Sequence, residues 1–162
     1  METLTGIGVA VAACVSVFVV VLVVAFLSTR RTQRKRVAYL SQLKQERSTE
    51  TQEQFVAWFV ERGIDQSVAA TVYDFVQGRC DVPGVPLLPT DPLEAVCDIV
   101  VHEEIDDILT EMGYQPLGES EWDALDWDSV DLPPPSEQDA PIASLVYLID
   151  ALEQRRRVEP GG

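Results

Sequence analysis

The sequence predicts an all-α protein in which a single N-terminal transmembrane helix precedes a small acidic cytoplasmic bundle of helices. Three observations lead to this fold class. Residues 6–27 contain no charged side chain. In several later segments, apolar residues recur with the 3.6-residue period of an α-helix. No segment shows the alternation of apolar and polar residues that is typical of a half-buried strand.

The predicted transmembrane helix covers residues 6–27 and leaves residues 1–5 as a short extracytoplasmic N-terminus. These 22 residues would form a helix about 33 Å long, close to the hydrocarbon thickness of a bilayer. A cleaved signal peptide would begin with Lys or Arg, whereas the only charge here is Glu2. Small residues four positions apart, at Gly6 and Ala10, also suggest a homodimer formed through this helix.

A cluster of basic residues follows the predicted span, at Arg30, Arg31, Arg34, Lys35 and Arg36. Basic residues beside a transmembrane helix favour the cytoplasmic side. We therefore expect a single-pass protein of the cell (plasma or inner) membrane, with its N-terminus outside and its C-terminal domain in the cytoplasm. The cluster belongs to a predicted basic juxtamembrane helix or linker at residues 28–48, which is expected to contact the anionic lipid bilayer.

Charge is distributed unevenly along the chain. Residues 1–47 carry seven basic and two acidic side chains, whereas residues 48–154 carry two basic and 24 acidic ones. Because Lys and Arg bind the nucleic-acid backbone, this balance excludes nucleic acid as the main partner. Three Cys and one His are too few for a disulfide framework or a Cys/His zinc site.

An acidic helical domain is predicted over residues 49–114. Its first helix ends at Gly63, and a second helix capped by Asp65 ends at Gly78. A loop with three prolines follows. The sequence Asp91-Pro92-Leu93-Glu94 then has the pattern of a capping box with proline at the first helical position. We expect a short helix there and another after it.

The remainder of the chain divides into three predicted segments. Residues 115–138 form an acidic connector with two Trp and three consecutive Pro. Residues 139–158 form an amphipathic C-terminal helix, whose terminal arginines complement the helix dipole. Residues 159–162 form a short tail.

No complete set of catalytic residues is present, so the sequence predicts neither an enzyme nor a bound cofactor. His102 and Asp106 lie one helical turn apart and are candidate ligands for a divalent metal ion. A third converging ligand is lacking in the pattern, and the alternative is a solvated acidic helix surface.

The connector contains the best candidate for protein interaction, formed by Trp122, Asp123, Asp126, Trp127 and Asp128. Aromatic anchors among carboxylates suit a partner protein with a basic, apolar groove. The alternative is that both Trp side chains pack on their own domain.

Residues 67–114 resemble the small acidic helical domains of acyl carrier proteins. The resemblance rests on a helix ending near Cys80, a proline-bearing loop, the start Pro89-Thr90-Asp91-Pro92-Leu93 and a following acidic helix. It implies a carrier-like fold, and in that family phosphopantetheine is attached to a Ser that opens the second helix. The corresponding segment here has no Ser. The resemblance therefore implies a carrier-like fold without the prosthetic group. Asp128-Ser129-Val130-Asp131-Leu132 matches the motif locally and makes Ser129 the alternative attachment site, but Pro133 to Pro135 would break the helix that must follow it.

Together these observations predict a membrane-anchored protein whose acidic helical domain serves as a protein-interaction or adaptor module. The first alternative is a membrane-tethered carrier with phosphopantetheine at Ser129. The second is an acidic module that responds to divalent metal through His102 and Asp106.

Overall fold

The computed structural model describes residues 21, 24–26, 30–97, 101–130, 132–135 and 139–158. It divides the chain into two compact units, Met1–Tyr39 and Leu40–Gly162. Every element in this described part is a helix, apart from one isolated β-bridge between Pro92 and Pro141. The all-helical character predicted from the sequence is confirmed for these residues.

The prediction of a transmembrane helix is corrected. Within the described residues no helix is both long and apolar enough to cross a bilayer. Residues 6–27 lie outside the described residues except at four positions. The described helix that follows the predicted span, at residues 30–46, carries six Lys or Arg. Each of these side chains would cost about 2.5–3.5 kcal/mol at a bilayer centre. The predicted fold class with a transmembrane helix and the predicted single-pass membrane location are therefore wrong.

The described part of the second unit contains helices that we number in chain order: α1 (residues 40–46), α2 (Gln52–Val60), α3 (Gln66–Arg79), α4 (Leu93–Cys97), α5 (Val101–Glu111), α6 (Glu119–Asp123), α7 (Trp127–Val130) and α8 (Ile142–Val158).

Side-chain caps fix the starts of α2 and α3. The Gln54 backbone N–H donates to the Thr51 hydroxyl, and the Thr51 N–H donates to the Gln54 side chain. This reciprocal pair satisfies two backbone donors that a helix start leaves without partners. Asp65 caps α3, as predicted, by accepting a hydrogen bond from the Ser67 N–H at 2.8 Å.

Helix α8 is the central element of the second unit. Its first nine residues are buried almost without interruption: Ile142, Ala143, Ser144, Leu145, Val146, Leu148, Ile149 and Asp150. The one buried hydroxyl among them, that of Ser144, donates to the carbonyl of Pro133 at 2.7 Å. A helix that is apolar on all sides is surrounded by other elements. The predicted amphipathic helix is thus enclosed over its first half, whereas residues 151–158 are half-buried or exposed.

The start of α8 is joined by backbone hydrogen bonds to the proline-bearing loop before α4. The N–H of Ile142 donates to the carbonyl of Asp91 at 2.9 Å, and that of Ala143 donates to Pro89 at 2.9 Å. In return the N–H of Leu93 donates to the carbonyl of Ala140 at 3.0 Å. These bonds connect two segments that lie far apart in the sequence.

Asp91 has a different role from the predicted cap. The residue is 4% exposed, and its carboxylate accepts hydrogen bonds from Arg47 at 2.6 Å and from the N–H of Leu88 at 2.8 Å. Arg47 follows directly on α1, so this ion pair fastens that helix to the loop before α4. A buried carboxylate gains more from a guanidinium and a loop N–H than from an exposed helix start.

The predicted connector includes α6 and α7. Trp122, Leu125, Trp127 and Leu132 are half-buried and pack against the core of the second unit. The segment therefore lies along the domain surface, which agrees with the alternative in which the Trp side chains pack on their own domain.

Candidate functional site

A cleft of about 270 Å³ lies on the surface of the second unit. One wall is the turn after α2, a second is the corner between α6 and α7, and the floor is the later part of α8. The lining includes the side chains of Arg62, Leu125, Asp126, Trp127, Tyr147, Asp150, Ala151 and Gln154. We refer to this site as the α8 cleft.

Glycine allows the chain to turn sharply at the first wall. The N–H groups of Arg62 and Ile64 both donate to the carbonyl of Phe59, and Gly63 between them has φ +84°. Only glycine adopts this left-handed conformation without steric cost. The turn buries Ile64 and places Arg62 at the rim of the cleft.

The floor of the cleft comes from one stripe of α8. Tyr147, Asp150, Ala151 and Gln154 are spaced at intervals of three and four residues, so they lie on the same side of the helix. The Tyr147 ring contacts the buried Phe59 ring edge-on, with 6.3 Å between the ring centres. Phe59 in turn packs against the rings of Phe55 and Trp58. Tyr147 is therefore held in place by the aromatic part of the core.

The carboxylate of Asp150 is the most buried acidic group of the cleft, because this residue is 5% exposed. Its Oδ1 accepts a hydrogen bond from the backbone N–H of Asp65 at 3.3 Å, and its Oδ2 accepts one from the Gln154 amide at 2.6 Å. Both donors are uncharged. Asp126 lines the same cleft from the second wall and is exposed.

Beside the cleft, Asp65 connects the start of α3 to the end of α8. Its carboxylate accepts hydrogen bonds from the hydroxyl of Ser67 at 2.7 Å and from Arg157 at 2.7 Å. These donors, the Ser67 hydroxyl first, hold the pKa of Asp65 well below its usual range. The same contact raises the pKa of the Arg157 guanidinium.

The sequence-predicted interaction residues divide between two environments. Asp126 and Trp127 line the α8 cleft. Trp122 is half-buried against the core, whereas Asp123 is exposed and does not line the cleft. The side chain of Asp128 lies outside the described residues.

The other candidate sites are not brought together by the described geometry. Asp106 is exposed on α5, and its backbone carbonyl accepts a hydrogen bond from Thr110. The backbone of His102 is part of α5, but its side chain lies outside the described residues. No group of three or more His, Cys, Asp or Glu that could hold a metal ion occurs among the residues described.

Ser129 lies in the one-turn helix α7, and its side chain also lies outside the described residues. The basic cluster belongs to the first unit. Its members Arg30, Arg31, Arg34 and Lys35 are exposed, and Arg36 is half-buried. The guanidinium carbon of Arg30 lies 4.3 Å from the centre of the Phe26 ring.

Sequence reasoning missed the floor of the cleft, namely Tyr147 and Asp150. One signal was present, because Asp150 directly follows Ile149 on the apolar side of the last helix. A carboxylate at such a position is either hydrogen-bonded within the core or part of a site.

A second groove of about 400 Å³ lies between α2 and α3 and is lined by Val56, Ala57, Val60 and Ala70 among others. Among the described residues that line it, none is aromatic and only Glu53 is charged. This groove lacks the converging polar groups that orient a ligand.

Comparison of the chain with protein-family models, with curated proteins and with solved structures finds no match.

Proposed function

We propose that residues 40–162 form a protein-binding module that docks a segment of a partner protein in the α8 cleft. The observation that carries this proposal is that Trp127 and Tyr147, which belong to separate helices, line one cleft together with the carboxylates of Asp126 and Asp150. Tyr and Trp dominate the energetics of protein interfaces because they supply a large contact area at a low cost in conformational entropy.

The size of the cleft favours a side-chain anchor over a small metabolite. Its volume of about 270 Å³ is below the range of about 300–1,000 Å³ that is usual for small-molecule sites. A cleft of this size accommodates one or two side chains, while the remainder of a bound segment lies across the surrounding surface.

Selection from a random peptide display library on the full 162-residue chain tests the proposal. Replacing the half-buried Ala151 by Trp places a large side chain in the cleft. We expect the selected peptides to lose binding to the Ala151→Trp variant. They should retain binding to Ala57→Trp, which makes the same substitution in the groove between α2 and α3.

The reverse pattern, with binding lost only in Ala57→Trp, would place docking in the other groove and contradict the proposal. The carrier and metal-responsive alternatives stay predictions, and no described side-chain geometry favours either.

A further inference from the structure

We infer that the α8 cleft selects an arginine side chain of the partner segment, flanked by apolar residues. This inference rests on the proposed docking function and adds the chemistry of the anchor. The guanidinium would bind the carboxylates of Asp126 and Asp150, while the apolar flanks pack on Trp127 and Tyr147.

The buried carboxylate is the first argument. Asp150 is 5% exposed, and no Lys or Arg of the described residues forms an ion pair with it. Its two hydrogen bonds come from a backbone N–H and an amide. The Arg157 guanidinium acts on Asp150 electrostatically, but its hydrogen bond goes to Asp65 at 2.7 Å. Buried charges are ordinarily paired, so a cation that enters the cleft gains a strong, partly desolvated interaction.

The charge of the surrounding surface is the second argument. Asp126 adds a carboxylate at the exposed lip of the same cleft. The second unit, residues 40–162, contains 26 acidic and seven basic side chains, three of the basic ones being the arginines 155–157 at the end of α8. Such an excess attracts a basic segment, raises its association rate and disfavours an acidic one.

Arg62, the one cation among the described residues that line the cleft, is held by other contacts. Its guanidinium carbon lies 3.5 Å from the centre of the Trp58 ring, and its Nη1 donates to the carbonyl of Trp58 at 2.8 Å. This stacked arrangement keeps the guanidinium over Trp58 and forms an outer rim for the site.

Two properties of the guanidinium group favour arginine over lysine as the bound side chain. The planar guanidinium holds five donors in a rigid fork, so it can bind two carboxylates at once, and it is more weakly hydrated than an ammonium group. The lysine ammonium is a strongly hydrated point charge and loses more on leaving water.

The test uses three synthetic peptides, acetyl-Leu-Arg-Leu-Leu-amide and its lysine and citrulline counterparts, titrated into the ¹⁵N-labelled full chain. Citrulline keeps the shape of arginine without its charge. We expect the arginine peptide to shift the Trp127 indole and Gln154 amide signals saturably. The citrulline peptide should bind at least about tenfold more weakly, and the lysine peptide should fall between them.

Matched variants separate a local contact from general attraction. Asp126→Asn should weaken binding of the arginine peptide by up to about fivefold, since Asp126 is exposed. Asp123→Asn removes the same charge from a neighbouring exposed position outside the cleft and should leave binding unchanged. Equal effects of these two variants, or equal binding of arginine and citrulline peptides, would overturn the inference.

Failure of this inference is distinguishable from failure of the docking function. If none of the three peptides shifts the cleft signals, selection of arginine is overturned, whereas the display library decides docking independently because it presupposes no residue type. Library peptides that bind the cleft without arginine would support docking and overturn the inference.

Discussion

At the scale of single residues, we expect the Arg47–Asp91 ion pair to have a large effect on the free energy of unfolding. The side chains of Arg47 and Asp91 are 19% and 5% exposed, with 2.6 Å between Nη1 and Oδ2. Replacing Arg47 by Met removes the cation and leaves a buried carboxylate. We expect the free energy of unfolding, measured by urea denaturation, to fall by about 3–5 kcal/mol.

A double variant provides the control for this prediction. Adding Asp91→Asn to Arg47→Met removes the uncompensated charge, so the double variant should be more stable than Arg47→Met alone. If the two variants unfold at the same urea concentration, an unpaired charge on Asp91 is not what destabilises Arg47→Met.

Ionisation of the Asp65 carboxyl group makes the free energy of unfolding depend on pH. Its pKa is lowered in the folded state by the Ser67 hydroxyl and by Arg157, so the folded state binds a proton less readily than the unfolded state does. This stabilisation is complete above the unfolded pKa of about 3.9 and is lost as the pH falls through the lower folded pKa. Asp65→Asn should therefore be less stable than the unmodified protein at pH 7, and the difference should shrink below about pH 4.

Urea denaturation at pH 7 and pH 3 measures this difference. Asp107→Asn, at an exposed position on α5, should change stability little at either pH. A difference for Asp65→Asn that stays constant between the two pH values would show that its ionisation contributes nothing.

At the scale of elements, α8 supplies the largest continuous part of the core. Leu145 is 0% exposed and is enclosed by neighbouring helices. Leu145→Ala should lower the free energy of unfolding by about 2–5 kcal/mol through the lost burial and the cavity left behind. Val158→Ala, at the end of the same helix and 80% exposed, should change it by less than about 0.5 kcal/mol. Similar losses in both variants would contradict a core role specific to Leu145.

The helices themselves were largely predictable, because their signals are local. The Asp65 cap and the glycine at Gly63 both act within a few residues of their own positions, and the structure has the expected helices there. The role of Asp91 was not predictable, because its partner Arg47 lies 44 residues away. Only part of the cleft lining was predictable, for the same reason. Asp126 and Trp127 are close in sequence and were predicted together, whereas tertiary packing alone brings Tyr147 near them.

At the scale of the whole molecule, the division between Tyr39 and Leu40 makes the second unit a candidate for independent folding. All of the buried apolar side chains in the described part of the chain belong to residues 40–149. A fragment comprising residues 40–162 should therefore show a cooperative thermal transition and a helical circular dichroism spectrum. A fragment that unfolds gradually, while the full chain unfolds cooperatively, would contradict this expectation.

The backbone bonds that join Pro89, Asp91 and Leu93 to residues 140–143 have an evolutionary consequence. These bonds hold residues 89–93 beside residues 140–143, so the chain between the two segments begins and ends at one fixed place. Within it, the described apolar side chains between Gly113 and Leu132 are half-buried or exposed, and none is a buried core residue. The entropic cost of closing a flexible loop grows only with the logarithm of its length, so doubling the length of a loop within this segment costs about 0.6 kcal/mol. The lip of the cleft can thus be lengthened or exchanged among descendants of this chain while the floor on α8 is kept, which permits new specificities on one inherited scaffold.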